Sequence, residues 1–370
     1  MPEFRRVRGA FVFVGCATAV APLPVSAIGC GDGSNARVRD AGADATTVDA
    51  AAADGGVSED GATGTTDGAT HDADTTFDSG SDDDASGPDT VVRFIAVGDT
   101  GLGNSVEADV ARSMEKKCAK SGCDFAIMLG DNIYDTGVTS SMDPQWVTKF
   151  EAPYARLSFD FYAALGNHDY GGGGVGDEWG KAQFQLDYAA QSTSQKFKMP
   201  SHYYSFRKGP VEFFVLDTNS QLYGRDAQQR VDMTAAIGAS KATWKIAYGH
   251  HPYRSNGPHG NAGTYDGTVN VTPWSGASVK SFMDTVVCGK TDVYFSGHDH
   301  SLQWLTDTCS GTELLVSGAG AQTSSVGTKN ATYFAASEPG FVYVVVQGRS
   351  LTATFVDTQD RERFTRTVTK

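Results

Sequence analysis

At 370 residues the chain has room for one large domain or two small ones. Residues 1–30 carry a net charge of +2 and residues 31–90 a net −13, so the total of −14 leaves about −3 on residues 91–370. The acidity therefore belongs to one segment and says little about substrate, and the near-neutral remainder lacks the basic face that nucleic-acid binding requires.

Residues 1–30 read as an export signal. Arg5, Arg6 and Arg8 precede an apolar run from Ala10 to Cys16, and small residues follow up to Cys30. The run is too short, and too broken by Pro22 and Pro24, to span a bilayer. Two cleavage readings stand. Ala27-Ile28-Gly29-Cys30 resembles a bacterial lipobox, with Cys30 as the lipid-bearing residue and membrane attachment through it. Ordinary cleavage near Ala27 leaves Cys30 without that role. Either reading puts the mature protein outside the cytoplasm, as a secreted, periplasmic or membrane-anchored lipoprotein. Residues 31–90 are mostly Ala, Asp, Gly, Thr and Ser, with Phe77 the only aromatic. Such a stretch buries too little apolar surface to offset its ordering entropy, so a disordered, self-repelling tether is expected. No Asp-x-Asp-x-Asp-Gly loop appears there, which argues against calcium, and His71 reads as solvated.

Residues 91–370 read as one domain without internal repeats. A strand is expected at 91–97. A helix at 104–119 would place Val106, Val110 and Met114 on one face. A strand follows at 125–129, helical segments at 144–150 and 152–157, and a strand at 161–165. Four glycines at 171–174 open a loop. Segments 203–206 and 211–216 read as an antiparallel pair around Lys208-Gly209. Then come a helix at 227–237, a strand at 245–248, a helix at 278–287 and a strand at 292–295. Strands predominate thereafter, at 303–306, 313–317, 340–347 and 350–356. Alternation early and strands late predict an α/β protein with two packed sheets and helices outside. Cys118, Cys123, Cys288 and Cys309 form an even set in an exported chain, and proximity pairs Cys118 with Cys123 and Cys288 with Cys309. No CxxC favours zinc. Asn270-Val271-Thr272 and Asn330-Ala331-Thr332 fit the glycosylation pattern, which matters only in a host that glycosylates.

Five apolar runs end in glycine followed at once by a metal-type ligand. They end in Gly98-Asp99, Gly130-Asp131, Gly166-Asn167, Gly249-His250 and Gly297-His298. Each reads as a buried strand that stops at a tight turn and presents one polar side chain at its carboxyl end. Open α/β sheets place their ligand sites at that edge. Asp, Asn and His converging there suit metal ions. A lone Gly-Asp is weak, because turns are full of them. Gly130-Asp131-Asn132-Ile133-Tyr134, Gly166-Asn167-His168-Asp169 and Gly297-His298-Asp299-His300 say more, and the ordered set says most.

With Gly98-Asp99-Thr100-Gly101 and Gly249-His250-His251-Pro252, these segments resemble the five motifs of the metallophosphoesterases. Tyr134, with Gly101 where most of that superfamily has histidine, narrows the resemblance to the purple acid phosphatases. Ser296 to Gln303, followed by Leu315 to Gly320, is similar to the small tartrate-resistant type. The resemblance covers roughly residues 91–356. It implies a four-layer α/β/β/α sandwich, with two mixed sheets flanked by helices.

It also implies two metal ions. Asp99, Tyr134 and His300 would bind the first, Asn167, His250 and His298 the second, and Asp131 would bridge them. His168 and His259 match the family's two catalytic histidines that are not ligands. His251 departs from the pattern, since an aromatic residue is usual there, and residues 265–274 look lineage-specific. The donor chemistry agrees. The first set is the more anionic, and a phenol of ordinary pKa about 10 ionises near neutrality only beside a strong Lewis acid. Fe(III) is expected there, with divalent iron, zinc or manganese in the second site. The activity implied is phosphate monoester hydrolysis by direct attack of a metal-activated hydroxide, on a small phosphate-ester substrate, with an acidic optimum. Two rivals are carried. One is a phosphodiesterase or nucleotide-hydrolysing enzyme of the same superfamily. The other is a non-catalytic metal-binding surface lipoprotein, against which the retention of His168 and His259 argues. Oligomeric state, second metal and physiological ester stay open.

Other polar residues read more plainly. His202 is taken as structural. His251 is open between substrate contact and packing. Asp135, Asp169 and Asp217 are outer partners or turn residues, because the ligand set is full. Asp299 faces away from its flanking histidines if extended. Trp146, Trp179, Trp244 and Trp274 read as core or rim.

Overall fold

Nearly unbroken apolar runs make the central strands, because both faces of each are covered. The computed structural model describes residues 90–269 and 271–370. The expected export signal, the acidic tether, Cys30, His71 and Asn270 lie outside the described residues. The elements are β1 (Val91–Val97), α1 (Ser105–Ser121), β2 (Phe125–Leu129), β3 (Asp160–Ala164), α2 (Lys181–Gln191), β4 (Phe197–Lys198), β5 (Tyr204–Lys208) and β6 (Val211–Val215). Next come α3 (Thr218–Leu222), α4 (Ala227–Ala239), β7 (Trp244–Tyr248), α5 (Ala277–Val286), β8 (Val293–Ser296), β9 (Leu302–Leu305) and β10 (Glu313–Ser317). Last are β11 (Thr332–Ala336), β12 (Gly340–Gln347), β13 (Ser350–Asp357) and β14 (Glu362–Thr369).

The strands form two seven-stranded mixed sheets. One has the order β14-β13-β12-β1-β2-β3-β4, and the other β11-β9-β10-β8-β7-β6-β5. In the first sheet β1 to β4 run parallel, and in the second β6, β7, β8 and β10 do. An aromatic wedge joins the sheets. Phe94 and Phe125 stack within one sheet at 5.4 Å, and both meet Phe213 of the other edge-on at 5.2 and 5.3 Å. Each ring is buried, and burial of a side chain that size contributes about 2–3 kcal/mol. Helix α1 packs over β12 and β13, and α3, α4 and α5 pack together. The result is the expected two-sheet sandwich with helices outside.

Helix α1 starts where Asn104 caps it, its side chain accepting from Glu107 N–H at 2.9 Å. It ends at Gly122, and the Cys118–Cys123 disulfide closes the turn. Val110 and Met114 are buried as expected, but Val106 is only half-buried and Glu107 takes the buried place. Cys288–Cys309 is the second disulfide. The helical segment expected at 144–150 is present, its first residues running into a π-helical segment, Val147–Glu151, whereas the one expected at 152–157 is replaced by turns. The mark of the π-helical segment is the i to i+5 bond from Ala152 N–H back to Val147 C=O at 2.9 Å, while Trp146, Phe150 and Tyr154 keep one buried face along it. The Asn330 amide is buried and bonded to Ser255, Asn256 and Asn261, so it offers no free nitrogen for a glycan.

Candidate metal centre

The parallel strands deliver their donors to one edge. Asp99 follows β1, Asp131 follows β2, Asn167 follows β3, His250 follows β7 and His298 follows β8. Asp99, Asp131 and His298 turn there through left-handed backbone, at φ 58°, 52° and 67°. Such a conformation costs on the order of 1–3 kcal/mol at a residue with a Cβ and persists only where the surroundings enforce it. Here they do. Asp99 N–H bonds Gly130 C=O at 3.0 Å, and His298 N–H bonds the two Asp99 carboxylate oxygens at 3.2 and 3.0 Å. The loops also interlock. A Cβ on Gly166 would lie 2.2 Å from the Asp131 nitrogen and from Asp131 Oδ1.

Two donor groups result. In the first, the Tyr134 hydroxyl is 3.0 Å from Asp99 Oδ1 and 3.2 Å from His300 Nε2, which is 3.4 Å from Asp99 Oδ1. In the second, His250 Nε2 is 2.8 Å from Asn167 Oδ1 and 3.0 Å from His298 Nδ1. Asp131 Oδ2 lies 3.3 Å from the same His250 nitrogen. Ligand atoms of Asp99, Asp131 and His250 all fall within 4.8 Å of one another, which joins the two groups.

The chemistry of these atoms fits a cation. His250 Nδ1 is 2.9 Å from the Leu129 carbonyl, which only accepts, so the proton of the neutral ring sits on Nδ1. Nε2 then presents a lone pair to a carboxylate oxygen, an amide oxygen and another imidazole. Asn167 Nδ2 donates to Gly174 C=O at 2.8 Å, which turns its Oδ1 toward the cluster. Lone pairs crowded this way need a positive centre. The titration behaviour says the same. Burial pulls the His250 pKa down, yet the Asp131 carboxylate overrides it and raises it to about 9. Without a cation the ring therefore takes a second proton on Nε2, and a bound cation would stand in that proton's place. His298 is held well below its ordinary value by burial and the neighbouring imidazoles, so it is a neutral donor. Burial and the Asp131 and Asp99 carboxylates push the Tyr134 phenol far up, so only a strong Lewis acid would ionise it there.

His168 and His259 flank the cluster. The His168 ring packs on Tyr134 with centroids 4.3 Å apart, and its Nδ1 is 2.6 Å from the Asp135 carbonyl. The His259 ring stacks on His298 at 4.0 Å. His251 is buried behind them, its Nδ1 2.9 Å from the Thr218 hydroxyl and its ring 4.6 Å from His298. Thr218 also receives the backbone N–H groups of His250 and His251 at 3.2 and 3.0 Å. Packing is therefore the role the geometry gives His251. His202 stands apart, near Tyr170.

The outer aspartates fasten the loops. Asp169 accepts from Asn132 N–H, Ile133 N–H and Gly166 N–H at 2.9, 3.1 and 2.8 Å, and from Gln185 Nε2 at 2.6 Å. It thus ties the Asp131 loop to the Asn167 loop. Asp217 caps α3. The segment around Asp299 turns rather than running extended, with His298 at φ 67°, so the alternation argument for Asp299 does not apply. What that argument misses is where it goes, to His259 N–H at 2.9 Å. Asp266, 2.8 Å from His259 Nδ1, was also missed. Neither carries a local motif, because both act across loops.

Gly101 is explained by contact. A Cβ there would lie 2.0 Å from the Asn132 carbonyl oxygen and 2.5 Å from Ile133 Cα, both rigid backbone. Gly101→Ala should push the Asp131–Tyr134 loop outward and lower kcat/KM by about 10²-fold, since a 1 Å misplacement suffices for that. Steady-state kinetics beside metal content checks it, and unchanged values for both would remove the constraint.

Residues 92–302 match the calcineurin-like phosphoesterase family. Purple acid phosphatase 17 of Arabidopsis thaliana is 30% identical over 262 residues, covering 63% of this chain and 70% of that protein. The chain belongs to the purple acid phosphatases. Tartrate-resistant acid phosphatase type 5 of Sus scrofa is 27% identical over 318 residues, covering 75% of this chain and 86% of the relative. The structure of purple acid phosphatase PPD1 from yellow lupin shares the fold, with TM-score 0.56, 17% identity, and coverage of 76% of this chain and 54% of that one. As a purple acid phosphatase the protein is a hydrolase of the acid phosphatase type, and membership implies a dinuclear metal centre. The two disulfides fit a protein that works outside the reducing cytosol.

Proposed function

We propose that this protein is an exported dinuclear phosphomonoesterase with Fe(III) held by Asp99, Tyr134 and His300. A divalent ion would be held by Asn167, His250 and His298, and Asp131 would bridge the two. The observation that carries this reading is the crowding of lone pairs from both sheets around Asp131 and His250 Nε2. Two cations bound there would supply Lewis acidity that makes a water nucleophilic toward phosphorus, and trivalent iron would do so even in acid.

The remaining work falls to the chain. His168 packs on the Tyr134 half and His259 on the His298 half, so a phosphoryl group would lie between them. His168 has its Nδ1 occupied by the Asp135 carbonyl, which leaves Nε2 to hold a phosphoryl oxygen. His259 would deliver a proton to the departing oxygen as its bond to phosphorus breaks. The product alcohol leaves neutral, and no covalent enzyme intermediate is required.

Colour tests the metal assignment. Concentrated oxidised protein should be violet from phenolate-to-iron charge transfer, and Tyr134→Phe should bleach it. An active but colourless protein holding two equivalents of zinc or manganese would overturn the iron assignment and leave hydrolysis standing. Turnover of an aryl phosphate compared with a bis-aryl phosphate tests the monoester preference, and faster diester cleavage would replace it.

A further inference from the structure

His259 is held at three points. Its backbone N–H donates to Asp299 Oδ1 at 2.9 Å, and Gly260 N–H reaches Asp299 Oδ2 at 3.3 Å. Its ring stacks on His298, tilted by 28°. Its Nδ1 lies 2.8 Å from Asp266 Oδ1, while Asp266 N–H donates back to the His259 carbonyl at 3.0 Å. Asp266 sits in a short 3-10 turn, Tyr265–Gly267, at φ 51°. Tyr265 anchors that turn by bonding the Pro252 carbonyl.

A carboxylate only accepts, so Nδ1 carries hydrogen toward Asp266 and the flip of the ring is set. Among the described residues Nε2 makes no hydrogen bond, and it is the nitrogen left for substrate. We propose that Asp266 is a positioning residue that fixes the His259 ring for proton delivery. The Asp266 side chain is 55% exposed, and ion pairs this open contribute little to stability. Its use is therefore orientation rather than folding. The proposal rests on the reading that His259 protonates the leaving group.

Three variants test it, on an alkyl phosphate and on p-nitrophenyl phosphate, whose leaving group needs no proton. Asp266→Gly removes the acceptor and suits a positive φ without strain. Asp266→Asn keeps an oxygen acceptor in place and tolerates the same backbone. His259→Ala removes the donor itself. The Gly variant should lose about 10²-fold in kcat on the alkyl ester, with little change on p-nitrophenyl phosphate and an unchanged melting temperature. The Asn variant should restore most of that loss. Equal losses on both esters, no loss in the Gly variant, or an Asn variant as impaired as Gly would each overturn the positioning role. If His259→Ala shows the leaving-group-selective loss and Asp266→Gly does not, this proposal alone fails. If His259→Ala shows no selective loss, the proton-donor reading fails and the proposal with it.

Discussion

Asp131→Asn should lower kcat by about 10³-fold or more and leave the protein short of its second metal ion. The substitution keeps shape and an oxygen for His168 N–H, which now bonds Asp131 Oδ1 at 2.9 Å, so the fold should survive. What changes is charge at the carboxylate that lies 3.3 Å from His250 and within 4.8 Å of Asp99, between the two donor groups. An amide would turn N–H donors toward atoms that already present lone pairs, or withdraw half of the shared bridge. The measurement is metal per chain by elemental analysis alongside turnover of p-nitrophenyl phosphate. Full metal content with undiminished turnover would remove Asp131 from the centre.

Glu107→Gln should stabilise the protein at alkaline pH while changing little in acid. Glu107 is buried on α1, with Oε2 bonded to Gly103 N–H at 2.6 Å and Oε1 unpaired. Burial pushes its pKa up, the Gly103 hydrogen bond, the nearby Tyr154 hydroxyl and Lys149 only partly oppose this, and it stands at about 8 against an ordinary 4.5. Between those values the folded chain holds a proton that the unfolded chain has released. The stabilising contribution is therefore complete below pH 4.5 and is gone above about 8. Glutamine is the neutral isostere of the protonated acid, so at pH 8.5 it should gain on the order of 2–4 kcal/mol. Denaturant midpoints at pH 4 and 8.5 decide it, and a variant whose difference from the parent is the same at both would refute it. The direction suits an acid phosphatase, since the resting fold is firmest where the acid is neutral.

The strands were legible where both faces are apolar. β1, β2, β10 and β12 span the residues expected, each built on an apolar run. Some edge and surface elements were not legible, although β5 at the edge of its sheet was. In β14 the inward face reads Phe364, Arg366 and Val368, and Arg366 breaks the alternation because it lies over Trp304 and pairs with Glu313. Helix α2 escaped because it has no side-chain cap and buries Gln185, a polar residue whose use is to bond Asp169. The gathering of donors was legible because each motif ends a parallel strand, so topology does the aiming. Asp266 and Asp299 were not, since pairing between loops leaves no periodic trace.

The donors are divided between the two sheets. Asp99, Asp131 and Asn167 leave one sheet, while His250, His298 and His300 leave the other. The centre is thus a rivet through the seam of the sandwich, and neither layer alone holds a working set. With cations in place the rivet would clamp the layers; stripped of them, protonated His250 against Asp131 and His300 against Asp99 would span that seam in their stead.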